Sequence, residues 1–407
     1  MAGPLSHLRV LDLTRVLAGP WATQLLADMG AEVIKIERPK TGDDTRGWGP
    51  PFLKDALGND TDESSYFLSA NRAKKSVTVD IASEEGGALI RQLAVKSDIL
   101  VENYKVGTLA RYGLSYEHLR ELNPRLIYCS LTGFGQTGPY APLPGYDFVF
   151  QGMGGLMSIT GLPDGEPGGG PVKSGIAITD ILAGMYAGTA VLAALEHRHV
   201  TGQGQYIDLA LFDCVVGLNS YQALNYFITG KTPPRMGNAH TNMVPYQVFA
   251  CADGHMIVAV GNDTQFASLC AVLDRPDLAA DPRFVKAAGR VRNRETLVPL
   301  IEAIIATRGM TDWITRMEAA NVPCGAINSI PQVFEDAQVQ HRGMKLSLEH
   351  PLGVQAPGLA NPIRFSAAPI AYRDPPPMLG QHNEEVLGEL LGLTPEAIAA
   401  LRTSNVI

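Results

Sequence analysis

The 407-residue sequence has few of the features that assign a protein to a compartment at sight. It has five cysteines (Cys129, Cys214, Cys251, Cys270, Cys324), without CxxC or zinc-type spacing, which favours reduced thiols over a disulfide framework. No apolar run reaches the length of a membrane span, and neither end carries a recognisable targeting signal. We therefore expect a cytoplasmic protein without a membrane partner.

The usual ligand motifs are missing as well. There is no GxGxxG and no Walker A sequence, so the standard dinucleotide and P-loop interpretations fail. The nine histidines contain no HExxH, and the HxH pair of His197 and His199 has no third ligand in view, so no metal is expected. A net charge of −8 argues against nucleic acid as the main partner, and 45% hydrophobic with 18% charged residues is typical of a globular enzyme.

Alternating strand and helix patterns run through the first half of the chain. LRVLDL, a helical stretch after Pro20, and AEVIKIE form a first βαβ unit, and three further strands follow with helices between them. This alternation predicts an α/β fold with a parallel sheet, in which ligands bind at the carboxyl ends of the strands.

The chain is long enough for two domains. We expect a large domain over residues 1–221 and a smaller α+β domain over 222–330, which begins with a hairpin turning at Asp253-Gly254. Residues 331–407 contain Pro-rich segments and a final amphipathic helix, without a core of their own. They are predicted to return to the large domain.

Polar residues that follow the predicted strands point to a pocket for an anionic nucleotide. Arg38, Asn103 and Arg111 lie at or just beyond strand ends, which in a parallel sheet meet at one edge. Arg38 can equally be a solvated surface charge. Lys75 precedes its strand, so it reaches the same edge only if that strand runs antiparallel to the others.

Asp180 stands where a Gly-rich loop, GGGPVKSGIAIT, meets an apolar helix that carries small residues at helical spacing. Two interpretations are open. Aspartate is a preferred N-cap residue, so Asp180 can be purely structural. Alternatively, it is a carboxylate nucleophile placed beside a flexible, ligand-approaching loop.

The order and spacing of several motifs indicate which protein family the sequence resembles. RVLDLTRVLAGP, GAEVIKIERP, NRAKKSVTVD, DILVENY, GFGQTGPYA, PGYD, SGIAITD and GQGQYIDLAL follow one another along nearly the whole chain. In these motifs the sequence resembles the family III CoA-transferases, which include formyl-CoA, carnitine and succinate-type enzymes. The resemblance implies a Rossmann-like large domain, a small domain and an interlocked homodimer. It also implies acyl-CoA and a carboxylic acid as substrates, without a tightly bound cofactor.

The resemblance also assigns roles to residues. It places the acyl-carrying aspartate at Asp180. The implied contacts of CoA and the neighbours that line the same pocket are Arg38, Lys75, Asn103, Arg111, Leu17, Tyr104, Thr108 and Tyr112. Trp48 and Tyr146 are candidate covers that exclude water, with core packing as the alternative. The sequence looks closest to transferases for succinate, glutarate and similar acids, whose second carboxylate needs a cation, and the candidates are Arg15, Arg46 and His240.

Departures from related branches of the family narrow the range of activities that we expect. Leu17 stands where the formyl-CoA branch has Gln, and GNAHTN replaces its run of four glycines, so oxalate and formyl specificity are not expected. Tyr146 stands where the α-methylacyl-CoA racemases have a histidine, so one of two bases for α-proton exchange is missing. A racemase or epimerase on the same fold is one alternative to a transferase. A non-catalytic CoA-binding protein is the other.

Overall fold

The computed structural model describes residues 3–407 and divides into two compact units. The first unit contains the residues up to Leu156, Ser174–Tyr221 and Gln340–Ile407, and the second contains Met157–Lys173 and Gln222–Val339. The second unit thus starts its main segment at the predicted position, but it runs nine residues further than 330. It also takes up residues 157–173, which the sequence pattern assigned to the large domain.

The helices and strands are as follows. The strands are β1 (Arg9–Asp12), β2 (Glu32–Glu37), β3 (Phe52–Lys54), β4 (Asp60–Ser64), β5 (Lys74–Thr78), β6 (Ile99–Glu102), β7 (Ile127–Thr132), β8 (Tyr206–Ala210), β9 (Tyr246–Cys251), β10 (Gly254–Ala259), β11 (Cys324–Ala326), β12 (Lys345–His350) and β13 (Val354–Leu359). The α-helices are α1 (Ala18–Asp28), α2 (Ser65–Ala70), α3 (Glu84–Val95), α4 (Tyr116–Leu122), α5 (Asp147–Met153), α6 (Leu156–Ile159), α7 (Ile178–Thr201), α8 (Leu211–Leu218), α9 (Ser220–Thr229), α10 (Asp263–Val272), α11 (Pro276–Ala280), α12 (Ala287–Arg292), α13 (Arg294–Ile305), α14 (Met310–Ala319), α15 (Ile330–Glu335), α16 (Ala337–His341) and α17 (Pro395–Thr403). Short 3₁₀ turns cover Asp44–Gly47 and Leu109–Tyr112, and a π-helical segment covers Glu385–Leu390.

The first unit is built on a six-stranded sheet in the order β5-β2-β1-β6-β7-β8. Every neighbouring pair is parallel, which confirms the α/β prediction. From β1 the chain moves through β2 to β5 on one side, and later through β6 and β7 to β8 on the other. The order therefore reverses between β1 and β6, and a crevice at their carboxyl ends is where open α/β sheets bind ligands.

The central strands are buried on both faces, as parallel strands between two helical layers must be. Val10 and Ile99 point to one face, where α1 and α7 pack, and Leu11 and Leu100 point to the other, where α3 packs. Both clusters are fully enclosed at these positions. The sheet edge that carries the crevice is thus set on a rigid core.

Helix α7 packs its small residues on α1. A side chain at Gly184 would lie 2.7 Å from the carbonyl oxygen of Ala18, so only glycine allows this close approach. Contrary to the expectation above, α7 is long and apolar enough by composition to cross a membrane, but half of its most apolar window is buried inside the protein. Its apolarity is that of a core helix, and it fixes Asp180 in its first turn.

The second unit contains an antiparallel sheet in the order β11-β10-β9. The predicted hairpin is present, since β9 and β10 pair from Cys251 and Gly254 outwards. Helices α10, α13 and α14 enclose a core that includes Phe266, Ile301 and Trp313. This is the α+β arrangement that the sequence pattern predicts.

Three local differences have physical reasons. The helical pattern over residues 213–230 forms two helices, because Ser220, the first residue of α9, takes a left-handed φ of 45°. The long loop after β2 contains the β3–β4 hairpin, and the Pro-rich tail contains the β12–β13 hairpin. Their prolines and glycines hid short strands that pair only with each other.

Candidate functional site

A cavity of about 240 Å³ opens at the reversal point of the sheet. Segments that follow β1, β6 and β7 form its walls, and the first turn of α7 closes it. Six of the residues that the sequence singled out line it, namely Arg15, Leu17, Asn103, Tyr104, Tyr146 and Asp180. Of the three residues that the strand ends were expected to gather, Asn103 lines the cavity, whereas Arg38 and Arg111 are not among its lining residues.

Asp180 is the third residue of α7, and Ala177 occupies the N-cap without a side-chain hydrogen bond. The N-cap interpretation of Asp180 is therefore wrong. The side chain is only 8% exposed. Within residues 3–407 no group donates a hydrogen bond to its carboxylate or forms an ion pair with it. Burial, assisted by the nearby charge of Asp147, raises the pKa of Asp180 to about 7. A buried carboxylate with a raised pKa that lines a cavity is a candidate functional residue.

A second acid organises the loop in front of Asp180. Asp147, the first residue of α5, accepts the Thr179 N–H at 2.8 Å and the Gln151 side-chain amide at 2.6 Å. The other end of that amide accepts the Ser174 N–H at 2.8 Å. Both ends of residues 174–179 are thus attached to α5.

Two arginines share one carboxylate at the mouth of the cavity. The Arg15 guanidinium lies 3.1 Å from Asp44, and the Arg38 guanidinium donates to the other oxygen of the same carboxylate. All three side chains are a third to a half exposed. The Asn103 side chain accepts the Arg15 N–H at 3.0 Å and donates to the Arg15 carbonyl at 2.7 Å. This cluster presents positive charge to an incoming anion.

The turn between Arg15 and Leu17 is strained. Val16, a β-branched residue, has a left-handed φ of 69°, which such residues rarely adopt. Its N–H donates to Asp43 at 3.2 Å, and Asp43 is held in turn by the buried Lys35 at 2.8 Å. Strain that a surrounding network enforces is found most often at functional sites, where it fixes side chains in place.

Lys75 does not join the cavity. Strand β5 is parallel to β2, so the start of β5 lies at the amino-terminal edge of the sheet. There Lys75 pairs with Glu32 and Glu385, each at 2.7 Å. The antiparallel strand that a CoA contact required is not present, and this prediction needs correction.

Arg46 is committed to structural bonds. Its guanidinium contacts Glu37 at 2.8 Å and Glu63 at 3.0 Å, and it stacks 3.7 Å over the ring of Phe67. With 7% exposure and two carboxylates on it, Arg46 has no donor left for a substrate acid. Of the three candidate cations, Arg15 lines the cavity, and His240 belongs to the second unit, where its ring packs on Tyr246.

The remaining predicted contacts lie on the segment after β6. Thr108 precedes the 3₁₀ turn that contains Arg111 and Tyr112, and none of the three lines the cavity. Arg111 is exposed, and the carbonyl of Tyr112 accepts a hydrogen bond from Arg91 at 3.1 Å. If these three residues contact CoA, they do so on the surface beyond the cavity mouth.

Aromatic side chains flank Asp180. Tyr146 lines the cavity and is 64% exposed. Trp48 is 39% exposed and packs edge-on against Tyr66, with ring centres 5.1 Å apart. Burial, and then the charges of Asp180 and Asp147, raise the pKa of Tyr66.

Sequence reasoning missed Asp44, Tyr66 and Asp147. Asp147 stood beside the singled-out Tyr146 in the PGYD motif, so its position was in view without a role. Asp44 and Tyr66 gave no such signal, because nothing in their spacing shows that they approach the strand ends. No group of three or more metal-binding side chains occurs in the part of the chain that the structure describes.

Comparisons with known proteins agree on one family. The family model described as CoA-transferase family III matches residues 5–383. The succinate–glutarate CoA-transferase of Agrobacterium fabrum is 49% identical over 95% of this chain and 96% of its own length. The succinyl-CoA:glutarate CoA-transferase of Mus musculus is 44% identical over 99% and 90%. The crystal structure of a CAIB/BAIF family protein from Brucella suis, 47% identical, superposes with a TM-score of 0.82 and covers 96% of this chain and 100% of that one.

Proposed function

The chain belongs to CoA-transferase family III, and from this premise we propose that it moves CoA from succinyl-CoA to glutarate or a related short dicarboxylic acid. Asp180 carries the acyl and CoA groups between donor and acceptor. The names of the two similar transferases support this choice of substrates. The observation that carries the role of Asp180 is its buried carboxylate, which lines the cavity without a hydrogen bond from residues 3–407.

The proposed reaction proceeds through four transfers. The Asp180 carboxylate attacks the thioester carbonyl of the donor, so a C–O bond forms, the C–S bond breaks, and CoA leaves as thiolate with a mixed anhydride behind it. The thiolate attacks the Asp180 carbonyl carbon and releases the donor acid as a carboxylate. The acceptor carboxylate then attacks this aspartyl-CoA thioester and expels thiolate. The thiolate finally attacks the acceptor carbonyl, which gives the new acyl-CoA and free Asp180.

The cavity suits these steps in two respects. Asp180 is nearly shielded from solvent, and exclusion of water protects an anhydride from hydrolysis. Thiolate must also return quickly, which requires CoA to stay bound between transfers. We propose that CoA is held by residues at and beyond the cavity mouth: Leu17, Arg38, Asn103, Tyr104, Thr108, Arg111 and Tyr112.

Arg15 is the proposed anchor for the second carboxylate of the acceptor. It lines the same cavity as Asp180, whereas Arg46 is enclosed by two glutamates. Arginine matches the fork geometry of a carboxylate. Its present partner Asp44 is partly exposed, so exchange for a substrate carboxylate meets a small barrier.

We also propose that the protein works as a homodimer of interlocked chains. Support comes from apolar side chains of the first unit that are between 38% and 57% exposed: Phe148, Val149, Met153, Met185, Tyr186, Leu192 and Val216. Monomeric proteins rarely expose so many large apolar groups on neighbouring helices, and a second copy would cover them. Light scattering on a size-exclusion column tests this, and a monomer at micromolar concentration would contradict it.

The test of the proposed function compares two aspartate substitutions. The protein is incubated with succinyl-CoA and a panel of dicarboxylic acids, and new acyl-CoA is measured by mass spectrometry. Asp180→Ala should lower turnover by at least about three orders of magnitude, as removal of a nucleophile does. Asp213→Ala, at an exposed position in the first turn of α8, is the matched control and should keep wild-type turnover.

Two results would overturn the proposal. Wild-type turnover in Asp180→Ala would remove the nucleophile and support a protein in which this residue has no chemical role. Incorporation of α-deuterium into a 2-methylacyl-CoA in deuterated water, without exchange of the acid, would support a racemase instead. Trapping with hydroxylamine should modify position 180 in the working enzyme.

A further inference from the structure

The loop that delivers Asp180 is held by a side chain that carries charge. Asp147 accepts the N–H of Thr179, the residue directly before Asp180, at 2.8 Å, and the Gln151 amide at 2.6 Å. Gln151 is fully buried, and it also accepts the N–H of Ser174 at the start of the same loop. The position of the Asp180 backbone therefore depends on α5.

The charge of Asp147 is not neutralised by a protein cation. Its two oxygens accept from neutral N–H donors, and within residues 3–407 no Lys, Arg or His forms an ion pair with it. Asp180 likewise has no cation bound. The charge of Asp147, a partly exposed side chain one hydrogen bond away from the residue before Asp180, therefore acts on a buried carboxylate.

The other titratable or charged groups that line the cavity are Arg15, Asp44, Tyr104, Lys105 and Tyr146. Arg15 and Arg38 are bound to Asp44, and Lys105 is exposed. Burial raises the pKa of Tyr104 and of Tyr66, so neither hydroxyl supplies a negative charge near pH 7. Asp147 is therefore the neighbouring charge that acts on Asp180.

We propose that Asp147 is a positioning residue that fixes the loop before Asp180 and, through its charge, drives Asp180 out of its free carboxylate form and into its covalent forms. This inference rests on the proposed function, since it assumes that Asp180 is the nucleophile. Repulsion between like charges disfavours the free carboxylate, and any state in which Asp180 is neutral relieves it.

The chemistry of the proposed reaction has such neutral states. When the Asp180 oxygen bonds to the donor carbonyl, its negative charge leaves with the CoA thiolate. In the anhydride and in the aspartyl-CoA thioester the Asp180 carbonyl is uncharged, and the charge resides on thiolate or on the released acid. Asp147 thus raises the free energy of the starting carboxylate more than that of the aspartyl-CoA thioester, whose balancing negative charge leaves the site with the donor acid, and this favours acylation.

The experiment replaces the charge and keeps the shape. In Asp147→Asn, the side-chain oxygen can still accept the Thr179 N–H, the new amide nitrogen cannot accept from the Gln151 amide, and the negative charge is gone. Burial and the Asp147 charge place the pKa of Asp180 at about 7 in the wild type, so kcat/KM should fall below pH 7, to roughly a tenth of its maximum at pH 6. In the variant this acid limb should move to lower pH by about half a unit or more.

A second readout follows the intermediate directly. With succinyl-CoA alone, the fraction of enzyme that carries CoA at position 180 is measured by intact-protein mass spectrometry. The ratio of CoA-carrying to free enzyme should fall roughly threefold or more in Asp147→Asn, since each half unit of pKa corresponds to about a threefold change in equilibrium. Asp147→Ser offers a second neutral variant, which keeps a hydroxyl acceptor for Thr179, in case the asparagine variant does not fold.

Gln151→Met is the matched control. It breaks the same hydrogen-bond chain but keeps the charge of Asp147, so it should lower kcat without moving the acid limb. Equal pH profiles in wild type and both neutral variants would overturn the inference, and so would an equal shift in Gln151→Met. Loss of activity in Asp180→Ala together with an unmoved limb would refute only the role of Asp147. Full activity in Asp180→Ala would refute the proposed function itself.

Discussion

Two sets of buried carboxylates lie near the same edge of the parallel sheet, and they differ in their partners. Asp12 and Asp43 are enclosed with lysines beside them, whereas Asp180 is enclosed without a cation from the described residues 3–407. Both sets are cut off from water to a similar degree. Pairing rather than burial therefore separates an acid that supports the fold from one that is available for chemistry.

The paired set is a short chain of ions below the strained turn at Val16. Lys35 bonds to Asp43 at 2.8 Å and to the Thr14 carbonyl at 2.9 Å, and Lys74 bonds to Asp12 at 3.1 Å. Burial alone would raise the pKa of Asp43, but the ammonium of Lys35 outweighs it and holds that pKa at about 2. These charges fix the turn that lines the cavity.

The unpaired set has the opposite electrostatics. Burial raises the pKa of Asp180 to about 7, and burial likewise raises that of Glu102, at the end of β6, to about 7. Glu102 accepts the Tyr104 N–H at 2.7 Å and the Ser130 hydroxyl, so it is at least solvated by the protein. Asp180 lacks even that, and its free energy as a carboxylate is correspondingly high.

Removal of Lys35 should break the paired set. In Lys35→Met, Asp43 loses the lysine that is ion-paired with it and Asp12 loses one of two lysines that stabilise its charge, so buried charge is left uncompensated. We expect the free energy of unfolding to fall by about 3–5 kcal/mol, measured by urea denaturation at pH 7.

The double variant Lys35→Met/Asp43→Asn is the control for that loss. It removes both charges of the pair, so it should recover part of the stability that Lys35→Met loses. A single variant that loses less than about 1 kcal/mol would show that the pair contributes no more than an exposed one.

Neutralising Asp180 should raise the free energy of unfolding, whereas removing Lys35 should lower it. The folded pKa of about 7 lies above the ordinary value of 3.8, so ionisation of Asp180 destabilises the fold progressively as the pH rises from 4 to 7. Asp180→Asn should therefore be more stable than the wild type at pH 8, by up to about 4 kcal/mol, and the difference should shrink towards pH 4. Thermal and urea unfolding across this pH range measure it.

Asp43→Asn supplies the matched comparison at a paired acid. Its folded pKa of about 2 lies below the ordinary value, so Asp43 contributes stability above pH 4 that is lost as the pH falls towards 2. This variant should be less stable than the wild type at pH 7, with a difference that closes in acid. If both asparagine variants changed stability in the same direction at pH 7, the distinction between the two sets would be wrong.

The sequence predicted the parallel sheet and the place of Asn103 for one reason. Strand ends in a parallel sheet share an edge, so counting elements brings Asn103 to the cavity, whereas the role of Asp180 came from the resemblance to a family. The prediction for Lys75 was wrong because it depended on the direction of β5, which periodicity does not reveal. The structure places Lys75 at the amino-terminal edge of the sheet.

Side-chain contacts between segments far apart in sequence could not be predicted by counting elements. Arg46 looked like any loop arginine until the structure placed Glu37 and Glu63 on it. Likewise, Asp147 became relevant only when its hydrogen bond to Thr179, 32 residues away, was seen. Sequence pattern locates residues along elements, whereas side-chain pairing depends on loop paths that carry no period.

Asp44 is a third case between these two sets, because it is ion-paired like Asp43 but partly exposed to solvent. The expected effect of its removal on stability is the smallest of the three. Its bonds to Arg15 and Arg38 lie at the cavity mouth, with a third or more of each side chain in solvent. Surface ion pairs contribute about 0–1 kcal/mol, so Asp44→Asn should change the free energy of unfolding by less than about 1 kcal/mol. The same change releases two guanidinium groups, so the KM for the anionic acyl-CoA should fall, by roughly two- to fivefold at low salt. Urea unfolding and steady-state kinetics at two ionic strengths measure both effects. A destabilisation as large as that of Lys35→Met would mean that pairing stabilises this protein whether or not the ions are buried.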